Sequence, residues 1–471
     1  MSADDDITKQ QRPAHSTGED LALFTDLYQL TMLQAYFEER MTERAVFSLF
    51  VRRLPRNRNF LVACGLDTVL DYLESLRFTR QDLDYLGTLG MFSDRFLAWL
   101  TDFRFTVDIY AVREGTPIFA NEPILEVEAP LPEAQLIETF VLNQVQLQTM
   151  LASKAHRVVT AARGRSVIDF GARRMHGTDA ALNAARAFRI AGVNATSNVL
   201  AGKRFGIPVA GTLAHSYIQA HGDEVAAFRA FAKLYPDTVL LIDTYDTLAG
   251  VEKVIKLARE LGEDFKVRAV RLDSGDLLDL SRRVRAALDR AGLSRVQIFA
   301  SSSLDEYEID KLVSSGAPID GFGVGTAMGV SADAPYLDIV YKLTSYAGEG
   351  RVKLAASKPV LPGCKQIFRM SNGDNDTGDT IARAGEDLPG RPLLEQVMRD
   401  GRRLVSPTRD LGDTRRYAAE QIARLPEAVQ SLPEAHPPYP VEISPELNAY
   451  HEEVVRQTTQ RSLETRTDSI E

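Results

Sequence analysis

The chain has 471 residues, of which 44% are hydrophobic and 25% charged, and its formal net charge is −10. This composition is typical of a globular protein with two or three domains, and the negative charge argues against a general nucleic-acid or membrane-surface binder. The two cysteines, Cys64 and Cys364, lie far apart, which argues against a disulfide framework or a zinc site.

The N-terminal segment, residues 1–18, is acidic, polar and poor in aromatic residues, so we expect it to be disordered. It has no apolar core of a secretory signal, and no run in the chain approaches the roughly 18 apolar residues of a membrane span. We therefore expect a cytoplasmic protein with neither a membrane nor a nucleic-acid partner.

Residues 19–149 are predicted to form an N-terminal α+β domain. Apolar residues at three-to-four spacing predict a helix over 24–40, followed by a strand over 45–54 and a helix over 66–78. Short β runs broken by Gly and Pro occupy 105–131, and a long helical stretch extends from Pro132 to about Arg163.

From Val167 onward, strand-like runs alternate with amphipathic helices, with a repeat of about 28–30 residues. Each crossover must return the chain to the same end of the sheet, so this alternation predicts parallel strands. We predict an irregular parallel (β/α) barrel over 150–345. The predicted strands end at polar or glycine residues, namely Asp169, Ser197, His215, Asp243, Asp273, Ser301 and Gly323.

The carboxyl ends of parallel strands are where α/β proteins bind ligands. Aspartate and serine also cap helices, and a histidine at a strand–helix junction is often a core residue. Capping explains less well why His215, Arg271 and several acids, among them Asp246 and Asp276, share one edge.

The region after the barrel, 346–450, is predicted to complete the second domain. A strand meander with a polar turn is expected over 351–385, and 391–435 is expected to be mostly helical. Residues 451–471 read as a charged helix or tail.

Phosphate-binding patterns narrow the chemistry. The P-loop pattern is missing from the sequence, and "GFGVGTAMG" (321–329) has Met328 where a dinucleotide fingerprint requires its third glycine. A glycine-rich loop after a late barrel strand commonly binds phosphate through backbone N–H groups. Asp243 and Asp273, on neighbouring strands, suit Mg²⁺ or a ribose diol, with helix capping as the alternative.

Five motifs carry a resemblance to a known family: "DFGARR" (169–174), "GVNATSNVLAG" (192–202), "GTLAHS" (211–216), "VRLDSGDL" (270–277) and "GFGVGT" (321–326). In order and spacing the chain resembles the nicotinate phosphoribosyltransferases, from "FTDLYQLTM" to "LPGCKQIFR". The resemblance implies that nicotinate and 5-phosphoribosyl 1-diphosphate give nicotinate mononucleotide and diphosphate in NAD biosynthesis, with ATP hydrolysis coupled to the transfer.

The resemblance also implies roles for individual residues. His215 is implied to be phosphorylated by ATP, with Asp243 orienting its ring, and Asp243 and Asp273 are implied catalytic residues that share a Mg²⁺ ion. The nicotinate ring is implied to stack between Phe170 and Tyr28, the latter contributed by the partner subunit of a homodimer.

The remaining implied contacts concern the two substrates. The nicotinate carboxylate is assigned to Arg271, Thr212 and Ser197. The phosphoribosyl diphosphate is assigned to Arg173, Ser274, Gly275, Gly323, Gly325, Thr326 and Lys358, with Asp273 also addressing the ribose.

Rival functions stay open at this point. An acidic residue facing the ring substituent would indicate a nicotinamide-specific sister enzyme. At that place the chain offers Ser197 and Asn198 and no acid. A quinolinate-using relative needs no phosphorylated histidine, and a phosphate-binding barrel aldolase or isomerase needs a Schiff-base Lys or a Glu base that the strand ends lack. A non-catalytic binding protein has no need of such a cluster.

Overall fold

The computed structural model describes residues 18–354, 360–404 and 410–467. Residues 1–17 of the segment predicted to be disordered lie outside the described residues. Short 3-10 helices cover Gly18–Leu23, Ala172–Arg174 and Gly262–Asp264.

The α-helices confirm most of the helical predictions, including the long stretch after Pro132, which is interrupted only at Ile137. They are α1 Leu27–Glu39, α2 Leu66–Ser75, α3 Arg80–Thr88, α4 Asp94–Thr101, α5 Leu131–Leu136, α6 Glu138–Ala162, α7 Thr178–Ile190, α8 Val199–Phe205, α9 His215–His221, α10 Glu224–Leu234, α11 Thr247–Leu261, α12 Leu277–Arg290, α13 Glu306–Ser314, α14 Thr326–Gly329, α15 Leu411–Ala423, α16 Glu427–Gln430 and α17 Pro445–Thr467.

The β-strands form two large sheets and two small ones. They are β1 Arg44–Val51, β2 Leu61–Val62, β3 Asp108–Val112, β4 Pro117–Ile118, β5 Pro123–Pro130, β6 Ser166–Asp169, β7 Ala195–Thr196, β8 Val239–Leu241, β9 Ala269–Leu272, β10 Gln297–Ala300, β11 Gly321–Val324, β12 Ile339–Tyr346, β13 Glu349–Gly350, β14 Lys365–Asn372, β15 Asn375–Arg383, β16 Arg391–Pro392, β17 Leu394–Arg399, β18 Arg402–Arg403 and β19 Val441–Ile443.

The predicted parallel sheet is confirmed. Its order is β7-β6-β11-β10-β9-β8, and every neighbouring pair is parallel. All the carboxyl ends therefore lie at one edge, as the repeat of strand and helix requires.

The parallel sheet is a curved half-barrel, so the predicted irregular barrel is confirmed as a parallel α/β sheet that does not close. Of the strand expected over 207–215, only a single bridge forms. It pairs Val209 in parallel with Thr196 of β7, at the edge of the sheet. Pro208 has no N–H to donate and Gly211 has no side chain to pack, and both features weaken a strand. The side chains of Thr212 and Arg271 nevertheless meet across the open side, which shows how strongly the sheet curves.

The crossover helices are held by the residues that the amphipathic pattern singled out. On α12 the buried positions Ser281, Val284, Ala287 and Leu288 form one stripe at helical spacing. Asp276 accepts hydrogen bonds from the first backbone N–H groups of this helix, and Asp246 does the same for α11. These two acids are therefore helix caps, the alternative that the sequence left open for them.

A seven-stranded sheet combines strands from both sides of the parallel region, in the order β13-β12-β1-β5-β3-β17-β18. Strands β1 and β12 pair antiparallel, and the rings of Phe47 and Tyr341 stack at 4.8 Å between centroids. The N-terminal region and the segment after the parallel sheet thus share one core, while the predicted domain boundaries stay predictions.

The helix predicted at the start of 391–435 is wrong. Residues 391–403 form β16, β17 and β18, and β17 adds an edge to the antiparallel sheet by pairing with β3. The hairpin turns at Asp400 and Gly401, whose φ angles are +49° and +71°. An Asp-Gly pair is a strong hairpin signal, and Val397 and Met398 are buried against the sheet. The rest of that stretch is helical, as α15 and α16.

The predicted meander is confirmed as the hairpin of β14 and β15, which belongs to a four-stranded sheet with β16 and β19. The charged C-terminal segment is helical as α17. Across the described ranges, none of the helices combines the length and the apolar character needed to cross a lipid bilayer.

Candidate functional site

The open side of the parallel sheet contains a small cavity between its two edges. Four predicted site residues line it together: Phe170, Thr212, Arg271 and Gly323. They come from β6, the segment before α9, β9 and β11. The structure therefore brings together the four residues assigned, through the resemblance, to the ring, the carboxylate and the phosphate.

The ring of Phe170 occupies the space next to Gly323. A Cβ atom at residue 323 would lie 2.5 Å from Cε2 of Phe170 and 2.6 Å from its Cδ2, far inside an ordinary carbon–carbon contact. Gly323 is thus needed for the aromatic ring to lie against β11, a physical role apart from the predicted phosphate contact.

Arg271 is a cation with unused hydrogen-bonding capacity. Its Nη1 contacts the Thr212 hydroxyl, whereas its buried Nε has no hydrogen-bond partner among the described residues. Burial lowers the pKa of Arg271 from its ordinary value, with Arg173 acting in the same direction and Asp273 and Asp243 opposing. A partly desolvated guanidinium with a free N–H suits an anionic ligand.

His215 is the first residue of α9, and its ring contacts groups from two neighbouring strand ends. Its Nδ1 lies 3.1 Å from the Thr244 hydroxyl, and its Nε2 lies 3.5 Å from Oδ2 of Asp273. The side chain is 39% exposed, so the ring is open to ligands and is not the core histidine of the alternative interpretation.

The carboxylate next to the His215 ring is that of Asp273, while the orienting role of Asp243 stays a prediction. Oδ2 of Asp243 instead accepts from the backbone N–H of Asp273 at 2.8 Å and from the Ser274 hydroxyl at 2.6 Å. The side chain after β8 thus turns toward the next strand, where unpaired donors lie, and Thr244 reaches the imidazole in its place.

Asp243 and Asp273 form an acidic pair that fits a Mg²⁺ ion carried by a phosphorylated substrate. Oδ1 of Asp243 is buried and has no hydrogen-bond partner among the described residues, while Asp273 also contacts the Ser301 hydroxyl. Within 18–354, 360–404 and 410–467, no group of three or more His, Cys, Asp or Glu is placed to hold a metal by itself. Mg²⁺ commonly takes one or two carboxylates and completes its shell with substrate phosphates and water.

The other predicted donor contacts border the same edge. Arg173 is exposed in the 3-10 helix after β6, and its charge acts on Arg271. Gly275 has a φ of +80°, which lets the chain turn sharply after Ser274. Gly325 and Thr326 lie where β11 gives way to α14.

Ser197 follows β7, and its backbone N–H donates to the carbonyl of Asp169 at 2.9 Å. The strand ends of β6 and β7 are thereby tied together. Ser197 is half-buried beside the turn that carries Phe170.

One predicted residue among those that the structure describes, Tyr28, is not brought to this site within the chain. Tyr28 is 49% exposed on α1, and the charges that affect its pKa are those of Glu138 and Asp26. Burial is the largest cause of its raised pKa. Lys358 lies outside the described residues.

Sequence reasoning assigned no role to Asp169, Thr196 or Thr244. Thr244 follows Asp243 directly in the chain. Asp169 was noted as a strand end, yet its side chain is fully buried and accepts from the Thr196 hydroxyl at 2.7 Å. The burial of such a side chain depends on neighbours that no local pattern shows.

The fold and the site define an α/β protein whose parallel strand ends gather a histidine and two carboxylates at one edge, next to a partly desolvated arginine that lines a small cavity. Family profiles match in three pieces: the nicotinate phosphoribosyltransferase N-terminal domain at 23–146, the nicotinate phosphoribosyltransferase family at 165–383 and its C-terminal domain at 383–451. The chain belongs to the nicotinate phosphoribosyltransferase family.

Individual relatives agree with this membership. Nicotinate phosphoribosyltransferase pncB2 of Mycobacterium tuberculosis (strain ATCC 25618 / H37Rv) is 56% identical over 90% of this chain and 91% of its own length. Nicotinate phosphoribosyltransferase of Bacillus subtilis is 43% identical, covering 80% and 79%. The crystal structure of human nicotinic acid phosphoribosyltransferase superposes with a TM-score of 0.82 at 28% identity, covering 92% of this chain and 100% of that one.

Proposed function

We propose that the protein makes nicotinate mononucleotide and diphosphate from nicotinate and 5-phosphoribosyl 1-diphosphate in NAD biosynthesis, with ATP hydrolysis coupled to the transfer. One observation carries the proposal: the aromatic Phe170 and the cationic Arg271, together with Thr212, line the same small cavity. A flat ring bearing a carboxylate needs such an aromatic face and such a cation.

Nicotinate binding uses the cavity residues directly. The pyridine ring stacks on Phe170, and its carboxylate accepts from Arg271 and from the Thr212 hydroxyl, with Ser197 as a further donor. Nicotinamide is uncharged and leaves the partly desolvated guanidinium without an anion. The nicotinamide-specific alternative is therefore disfavoured by the charge of Arg271.

The phosphoribosyl donor lies along the carboxyl ends of β9 and β11. Its 5′-phosphate is bound at Gly323, Gly325 and Thr326, its ribose by Asp273, Ser274 and Gly275, and its diphosphate by Arg173, with Lys358 as a further phosphate contact. Asp243 and Asp273 would hold a Mg²⁺ ion, which would supply charge compensation for the departing diphosphate.

Transfer breaks the bond between the ribose C1 and the diphosphate oxygen and forms the bond from C1 to the pyridine nitrogen. The bond-breaking electron pair leaves with the diphosphate, so positive charge develops on the sugar. Arg173 stabilises the leaving diphosphate, while Phe170 and Arg271 hold the pyridine nitrogen in line with C1.

ATP acts through His215. Nδ1 donates to the Thr244 hydroxyl and keeps its proton, while Nε2 moves off its 3.5 Å contact with Asp273 and attacks the γ-phosphorus of ATP; the P–O bond to ADP breaks and a P–N bond forms. Water later attacks the phosphorus, which releases inorganic phosphate and restores the imidazole. Phosphorylation raises the transfer rate only to the extent that it stabilises the transition state more than the ground state.

The assembly is a homodimer in this proposal, with Tyr28 of one subunit closing the nicotinate site of the other. The exposure of Tyr28 and its distance along the chain from the strand ends support this arrangement. The cytoplasmic location stays a prediction.

Product identification tests the reaction. The protein is offered nicotinate, nicotinamide and quinolinate in parallel with the phosphoribosyl donor, Mg²⁺ and ATP, and mononucleotides are identified by mass spectrometry. We expect nicotinate to be converted far better than the other two, and Arg271→Lys, which keeps the charge but loses the fork, to narrow that preference. Comparable turnover of nicotinamide contradicts the proposal.

Labelling tests the phosphohistidine separately. Incubation with γ-labelled ATP should give an acid-labile, base-stable phosphoryl group on the protein, and His215→Ala should abolish both the label and ATP hydrolysis. The matched control is His221→Ala, because His221 is exposed on the same helix, where its ring lies 4.7 Å from that of Tyr217. Label that persists in His215→Ala shows that another residue is phosphorylated.

A further inference from the structure

The turn after β6 is held by a buried carboxylate to which the proposed reaction assigns no role. We propose that Asp169 is a positioning residue that sets the ring of Phe170 and the backbone of Ser197 for nicotinate binding. The inference rests on the proposed function, because it is read out through nicotinate.

Both carboxylate oxygens of Asp169 are used within the protein. Oδ1 accepts from the backbone N–H of Gly171 at 2.8 Å, and Oδ2 accepts from the Thr196 hydroxyl at 2.7 Å. The residue is 0% exposed. A side chain so enclosed cannot touch a substrate, and its influence must pass through the groups that it holds.

Those groups belong to three strand ends. The N–H of Phe170 donates to the carbonyl of Val324 on β11 at 2.8 Å, and the N–H of Ser197 donates to the carbonyl of Asp169 at 2.9 Å. The Thr196 oxygen in turn accepts from the N–H of Asn198 at 3.1 Å. Asp169 therefore connects β6, β7 and β11 where the predicted nicotinate contacts begin.

The turn has little freedom to adjust. A Cβ atom at Gly171 would lie 2.8 Å from Cε of Met175 and 3.1 Å from both Oδ1 of Asp169 and the carbonyl of Gly325. Such close packing means that a change at the carboxylate displaces the turn as a unit. Burial raises the pKa of Asp169, and the hydrogen bonds from Thr196 and Gly171 oppose that rise.

Asp169→Asn tests the inference at almost constant shape. The amide oxygen can still accept from Gly171, but the NH₂ group then faces the Thr196 hydroxyl, whose O–H proton loses its acceptor. We expect the KM for nicotinate to rise about tenfold, the change expected from one lost hydrogen bond to a charged group, with kcat changing much less.

Thr196→Val removes the same link from the other side and keeps the side-chain shape. We expect a smaller rise in the KM for nicotinate, and we expect the double variant to be no worse than Asp169→Asn alone, because the link is already broken. The single Thr196→Val variant also carries the test if Asp169→Asn does not fold.

Asp320→Asn is the matched control. The Asp320 carboxylate accepts a hydrogen bond from the backbone N–H of Ile298 at 2.8 Å. It lies just before β11, at the edge of the parallel sheet opposite the site. The variant should keep the wild-type KM. An unchanged KM in both Asp169→Asn and Thr196→Val, or additive effects in the double variant, overturns the inference while nicotinate turnover by the wild type stands. A wild-type protein that does not convert nicotinate overturns the proposed function as well.

Discussion

Gly323→Ala crowds the aromatic face of the site without adding a polar group. The new Cβ would lie 2.5 Å from Cε2 of Phe170 and 3.4 Å from Cβ of Ser301. Carbon atoms in contact prefer a separation of about 3.5–4.0 Å, so the ring must move by about 1 Å. Overpacking of this kind costs roughly 1–3 kcal/mol of stability.

The effect on activity should exceed the effect on stability. A misplacement of about 1 Å can lower a rate by about 100-fold when the displaced group orients the substrate. We expect kcat/KM for nicotinate to fall by about that factor, measured by steady-state kinetics, while the protein still unfolds cooperatively at a lower temperature.

Gly350→Ala provides the matched control. A Cβ at Gly350 would lie 2.7 Å from the Tyr450 hydroxyl and 2.8 Å from Cγ2 of Val454, so the crowding is similar but lies away from the parallel sheet. It should lower the unfolding temperature without lowering kcat/KM. Wild-type kinetics in Gly323→Ala, or a loss confined to the KM of the phosphoribosyl donor, would refute the role of the Phe170 ring.

Two further predictions concern assembly and pH. If Tyr28 closes the partner's site, the Tyr28→Ala and His215→Ala proteins should each be impaired. Mixing the two proteins should restore activity, because hybrid dimers contain one intact site. A lack of rescue, with subunit exchange demonstrated, would place each site within one chain. Burial, reinforced by the Asp379 carboxylate and opposed by Arg369, raises the pKa of Glu122 well above its usual range. Stability contributed by the protonated Glu122 is present below its unfolded-state pKa and is lost as pH rises through the folded-state pKa. Glu122→Gln should therefore flatten the fall in the denaturation midpoint as pH rises above the usual titration range of a glutamate, and an identical pH profile would contradict this assignment.

Local patterns in the sequence were sufficient to predict the parallel sheet and most of its site. The repeat of about 28–30 residues makes each strand end at the same edge, so His215, Arg271 and Gly323 could be grouped from the sequence alone. The family resemblance added the chemistry, because roles such as the phosphorylation of His215 depend on motifs rather than on periodicity.

The error at 391–403 has a tertiary cause. The stretch is charged and contains leucines, which favours a helical interpretation, but β3 offers an open edge that β17 completes through Leu394 and Met398. The backbone hydrogen bonds and burial gained at that edge outweigh local propensity, which is a weak preference. The Asp400–Gly401 pair was the one local signal of a hairpin.

The sequence by itself determined which residues lie at the ends of the parallel strands, because strand direction and spacing follow from the pattern of apolar residues. Only the tertiary structure decided which of those side chains meet. A side chain at a strand end can turn toward either neighbouring strand, and the available donors decide the direction: Asp243 turns to the N–H of Asp273, which leaves Asp273 and Thr244 as the contacts of His215. The choice is made by unpaired backbone and hydroxyl groups brought together from distant parts of the chain.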